Sequence, residues 1–119
     1  MTAVVTEEMV KRDLKNSCEA WNRGDIATMC GYYAPDARFL TSKGLIVGRD
    51  NILTYYKQAY PDALAMGFLK LELQDFIPRT STATVRWRLV SSGGEHTGFC
   101  TLVYEPRGDE LQVVYDNPR

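Results

Sequence analysis

Two kinds of side chain in this sequence could move protons without a metal: one late carboxylate and two pairs of phenols. The carboxylate is Asp116, in the closing run Leu111-Gln112-Val113-Val114-Tyr115-Asp116-Asn117; the phenols are Tyr32-Tyr33 and Tyr55-Tyr56. Partial burial would raise the pKa of Asp116 and make it a base, whereas a nearby Arg88 would lower it and keep the group ionised. Simple alternation puts Asp116 on the face of Gln112 and Val114, near a cavity mouth. Asp-Asn-Pro is also good chemistry for ending a strand, so a structural role stands beside the catalytic one. A buried phenol can donate a hydrogen bond to a developing oxyanion. Neighbours on a helix point about 100° apart, so one member of each pair faces inward. Tyr33 and Tyr56 fall on apolar stripes and are the cavity candidates, with core tyrosines as the plainer alternative.

Other residues carry weaker chemistry. Trp21 ends an apolar stripe, and its indole N–H can meet a ligand or a backbone carbonyl. The strand at 84–90 has Thr84, Arg86 and Arg88 on one face and Val85, Trp87 and Leu89 on the other. Either face can be the inner one. Inward arginines would hold a carboxylate ligand or pair with Asp116. His96 follows a Ser-Ser-Gly-Gly turn and reads as solvated. Asp25, Asp36 and Asp50 sit where caps or turns need acceptors. Cys100 has no basic sequence neighbour to make it a thiolate.

These residues need elements to position them. Thr6 can cap a first helix whose stripe is Val10, Leu14, Cys18 and Trp21, with Glu8–Arg12 and Glu19–Arg23 pairs on the wet face. Gly24 ends it and Asp25 caps a second, with Ile26, Met29, Cys30 and Tyr33 in register and Pro35 closing it. Runs at 38–41 and 45–47 make a hairpin around Ser42-Lys43-Gly44. Gly48-Arg49-Asp50 opens a third helix carrying Ile52 and Tyr56, which Pro61 stops; 62–66 is a loop. From Gly67 the period changes to two, giving strands from 69 to Pro78, at 83–90, 97–104 and 111–115. Helices first and a meander second is the α+β order.

At 119 residues the chain suits one domain, 1–119, without repeats or linkers. A net charge of −1 with no basic block argues against nucleic acid or an anionic membrane as partner. The N-terminus lacks a basic region followed by an apolar run, so no secretory signal is expected. Cys18, Cys30 and Cys100 lack the spacing of a disulfide framework or a zinc site, and His96 is the only histidine. Buried, reduced thiols would place the protein in the cytoplasm.

The series WNRGD, YYAPDARF, KGLIVGRDNI, the MG before a strand, VRWRL and LQVVYDN, from about Thr6 to the C-terminus, resembles the SnoaL-like branch of the nuclear-transport-factor-2-like superfamily. The resemblance implies a cone-shaped, cystatin-like α+β roll: three N-terminal helices in the hollow of a curved, mainly antiparallel sheet, with a cavity between. It also implies homodimers through the outer sheet face. That superfamily includes ketosteroid isomerases, polyketide cyclases, dehydratases and epoxide hydrolases, together with non-catalytic members such as the association domain of calcium/calmodulin-dependent protein kinase II. A pocket arginine of that association domain corresponds to Arg88, which favours Arg88 facing the cavity and leaves Trp87 and Leu89 for a dimer surface. Similar sequences carry histidines around the closing Asp, whereas this chain has Tyr115-Asp116-Asn117. The expectation is a cofactor-free and metal-free pocket for a small apolar or carbonyl-containing ligand. Asp116 and Tyr33 would be the catalytic pair, with Trp21, Tyr56 and Arg88 as ligand contacts, in an isomerase, cyclase or dehydratase. A non-catalytic carrier or accessory dimerisation module and an epoxide-type hydrolase are the alternatives.

Overall fold

Thr6 accepts a hydrogen bond from the Met9 amide at 3.2 Å and opens α1, Glu7–Asn22, in the computed structural model, which describes residues 4–118. Gly24, at φ +80, turns the chain, and Asp25 caps α2, Ile26–Cys30, through the Thr28 amide. The charged pairs differ from those expected. Lys11 reaches Glu7 and Glu8, and Arg23 reaches Asp25, all in solvent where partner exchange costs little.

The second helix is shorter than its stripe suggests. Tyr33 belongs to β1, Tyr33–Thr41, and Pro35 lies inside that strand. A residue before proline avoids the helical region, and here the sheet offers the backbone a partner: the Val113 amide donates to the Tyr32 carbonyl at 2.8 Å. The register of β1 is irregular between Tyr33 and Arg38, so the missing N–H of Pro35 interrupts no regular rung.

β2, Gly44–Val47, pairs antiparallel with β1 and leads into α3, Arg49–Ala59. The segment expected to be a loop contains one turn of helix, α4, Ala63–Met66, capped by Asp62 through the Ala65 amide at 2.8 Å. A single turn is too short to show a period. Gly67 follows at φ 62 and ψ −148, and a Cβ there would lie 2.1 Å from the Val90 carbonyl oxygen. Only glycine fits both the backbone and the gap.

Four strands complete the sheet: β3, Phe68–Ile77; β4, Thr82–Ser91; β5, Gly94–Arg107; and β6, Glu110–Pro118. The order is β2-β1-β6-β5-β4-β3, open at both edges, with every pair antiparallel except β1–β6. β5 runs past the expected limits because Ser91 pairs with Gly94 and Arg107 with Glu110, which tightens both turns to two residues. Val10, Leu14 and Trp21 of α1, Met29 and Cys30 of α2 and Ile52 of α3 form one core with Val85, Leu89, Leu102 and Val113 of the sheet. Among the described residues no helix is long and apolar enough to cross a membrane.

Candidate functional site

The core does not close completely. A cavity of about 280 Å³ lies between helices and sheet. That is at the small end of ligand pockets, which run from roughly 300 to 1,000 Å³. Nine aromatic side chains line it. Tyr32 and Tyr33 both do, as do Tyr55 and Tyr56, against the expectation of one inward ring per pair. The first pair spans a turn and a strand rather than a helix. The second lies where α3 crosses the cavity, with ring centroids 5.7 Å apart, so both rings reach its wall.

Asp116 is inside, 7 % exposed. The alternation that would have grouped it with Gln112 and Val114 is broken by a bulge. Val103 pairs with Tyr115 but Tyr104 with Val113, leaving Val114 as an extra residue. Leu111, Val113 and Asp116 consequently share the inner face. Phe39 flanks Asp116 on one side and Leu102 on the other. Tyr33 donates a 2.6 Å hydrogen bond to Oδ2, while Oδ1 is buried without a partner. Burial pushes the carboxyl up to about 7, and the Tyr33 bond offsets only part of that. Burial, then the Asp116 charge, holds the Tyr33 and Tyr56 phenols well above the ordinary tyrosine range. Tyr33 is therefore a donor with one proton, and that proton goes to Asp116. In its 3.4 Å contact with Tyr56, the Tyr56 hydroxyl is then the donor.

Arg88 is not in the site. Trp87 and Leu89 line the cavity, which places Arg88 on the outer face in a 2.7 Å ion pair with Glu95. The physical reason is the strand's alternation: one face must be buried, and Val85, Trp87 and Leu89 gain from burial what two guanidinium groups would lose. Trp87 and Leu89 are accordingly unavailable as a dimer surface. With Arg88 outside, no opposing charge among the described residues competes with burial at Asp116. Trp21 lines the cavity with its ring, edge-on to Tyr56 and Tyr60, but its N–H donates to the Met66 carbonyl at 3.0 Å. It is a wall, not a hydrogen-bonding contact for a ligand. Tyr56 lines the cavity. His96 is exposed.

One buried acid of the cavity wall lies outside the residues that the sequence singles out. Asp13 of α1 lines the cavity and is 8 % exposed. Burial raises it to about 7, with Arg12 acting against the shift and Glu110 adding to it. The signal was present: Asp13 lies three residues after Val10 and eight before Trp21, inside the buried stripe. Two further polar atoms of the lining, Trp87 Nε1 and the Tyr104 hydroxyl, are buried without partners. Among the described residues no lysine, arginine or histidine lines the cavity. Burial pushes the Cys30 thiol up to about 12 and that of Cys100 well above its usual value, so neither is a thiolate near neutral pH.

The family described as the SnoaL-like domain matches residues 14–114. No curated protein matches the chain. Among solved structures, the chain is similar to an NTF-2 like protein of unknown function from Shewanella oneidensis, at 28% identity over 93% of this chain and 96% of that one, with a TM-score of 0.82. A domain of unknown function with a cystatin-like fold from Nostoc punctiforme shares the fold at 20% identity, covering 98% and 78% of the two chains, with a TM-score of 0.76. An NTF2-like protein of unknown function from Pseudomonas putida does so at 15% identity, 98% and 88% coverage and a TM-score of 0.69.

Proposed function

The chain belongs to the SnoaL-like domain family, and on that premise we propose that it is a cofactor-free acid–base enzyme acting on a small, largely apolar carbonyl compound. The observation that carries this reading is the state of Asp116: one oxygen fixed by Tyr33, the other buried, unpartnered and inside the cavity wall. A carboxyl near pKa 7 is matched to proton transfer at neutral pH, because both of its forms are populated.

Ionised Asp116 takes a proton from the carbon beside a carbonyl. The C–H electron pair moves into the new carbon–carbon double bond, and the carbonyl oxygen becomes an enolate. The unpartnered Trp87 N–H or Tyr104 O–H can donate to that oxygen. Protonated Asp116 then returns the proton at another atom, which completes an isomerisation or opens the way to cyclisation or dehydration. Tyr33 positions Asp116 instead of serving the oxyanion, since its single proton is already committed.

The test is hydrogen exchange at carbon. A panel of ketones and aldehydes is incubated with the protein in deuterated water, and loss of α-proton signals is followed by NMR. Exchange that requires wild-type protein and disappears in Asp116→Asn supports the assignment. Equal exchange in that variant refutes it, and a compound retained unchanged marks a carrier.

The same proposal includes a homodimer through the outer sheet face. Phe68 and Val90 are neighbours there, exposed together with Phe99 on the side opposite the cavity. A monomer at micromolar concentration by sedimentation rules the dimer out.

A further inference from the structure

We infer that the ligand carries a protonated amine, held by Asp13 at one part of the cavity while Asp116 works at another. The inference deepens the acid–base reading and rests on it.

The cavity's charge chemistry points to this class. Among the described residues its lining has two carboxyl groups, no cationic side chain and nine aromatic rings. A carboxylate substituent on a ligand would meet two like charges and no guanidinium. A neutral ligand would leave both acids uncompensated, at the desolvation cost that holds them near pKa 7. An ammonium group reverses that cost, because a buried opposite charge favours the ionised form of its partner. Aromatic faces add attraction for a cation wherever water is excluded.

Asp13 is the better anchor of the two. Asp116 has one oxygen committed to Tyr33, whereas among the described residues no side chain donates a hydrogen bond to the Asp13 carboxyl. The groups around Asp13 come from four segments. Arg12 neighbours it on α1 but is exposed and outside the lining, Glu110 of β6 adds negative charge, and the Tyr32 and Tyr104 phenols both feel its charge. Tyr104 also leaves its buried hydroxyl without a partner. Size is compatible: a dry cavity of roughly 150 Å³ admits benzene, so about 280 Å³ accepts a ring with a short aminoalkyl arm.

The experiment uses a matched trio, 2-phenylethylamine, 2-phenylethanol and phenylacetate, titrated into the full chain and followed by NMR at pH 6 and pH 8. The amine should bind at least about tenfold more tightly than the alcohol at pH 8, where Asp13 is ionised and the amine, with a pKa of about 10, is still charged. That preference should shrink at pH 6, where Asp13 is protonated. Phenylacetate should bind most weakly. Asp13→Asn should abolish the amine preference while leaving the alcohol's affinity within about twofold. If that variant does not fold, the two pH values on wild-type protein decide alone. An alcohol that binds as well as the amine at pH 8 overturns the inference and leaves the acid–base reading standing. Failure of all three probes to bind overturns both.

Discussion

Asp13 hangs from a helix and Asp116 from a strand, yet burial raises both to about 7. The routes differ. At Asp116 no ion among the described residues opposes desolvation, and the Tyr33 hydrogen bond pulls the value back. At Asp13 an arginine pulls down and a glutamate pushes up, and the carboxyl is fixed by nothing comparable to Tyr33. Equal proton affinity therefore conceals unequal preorganisation. A group whose orientation is locked suits proton transfer, and a less constrained one suits holding an ion.

The largest effect that could break this contrast is on turnover. Asp116→Asn should lower the rate of α-proton exchange by about 10²–10⁴-fold, the range for losing a positioned general base. Asp13→Asn should act mainly through KM on an amine substrate. Equal losses in kcat would erase the distinction between the two acids.

Stability against pH tests the shared property. Each carboxyl holds its proton in the folded chain up to about 7, but releases it near 3.9 when unfolded. Between those values the folded state binds more protons, so stability is greatest at low pH and falls as pH rises from about 4 to 7. The loss is as much as roughly 4 kcal/mol per group by linkage. Chemical denaturation at pH 5 and pH 8 should show it, and each Asp→Asn variant should remove one share. A flat profile would mean that neither acid is desolvated.

Tyr33→Phe sharpens the difference in anchoring. It should raise the Asp116 pKa further, since the Tyr33 bond lowers it, and cost about 1 kcal/mol of stability. Carboxyl-carbon NMR should show the Asp116 titration moving up while that of Asp13 stays in place. Smallest of all is Arg88→Ala. Losing an exposed pair with Glu95 should change stability by about 0.5 kcal/mol or less and leave ligand affinity unaltered.

The sequence carried the architecture well, because apolar stripes and alternating strands impose their periods wherever packing demands them. The first helix's stripe, the existence and order of the four long strands and the caps at Thr6 and Asp25 are as the sequence predicts. What escaped depends on chain segments that lie apart in sequence. Tyr33 left its helical register because β6 offered β1 a parallel partner. Arg88 was placed by the kinase analogy, but burial of Trp87 decided the face. Asp13 is hard to single out because a lone carboxylate on an amphipathic helix belongs by type to the wet face, and only the opposing wall of the cavity shows otherwise. Asp116 and Tyr56 do line the cavity, though the partner that fixes Asp116 is Tyr33 and not an arginine.

The extra residue at Val114 reaches further than its size suggests. Were the same residues to run in unbroken alternation, with no bulge to absorb Val114, the strand would present Tyr115 to the interior and turn the acid out to water. Deleting that one residue would restore regular alternation with Val113 and Asp116 still facing inward, whereas inserting a second would turn the acid outward unless the bulge widened to hold it.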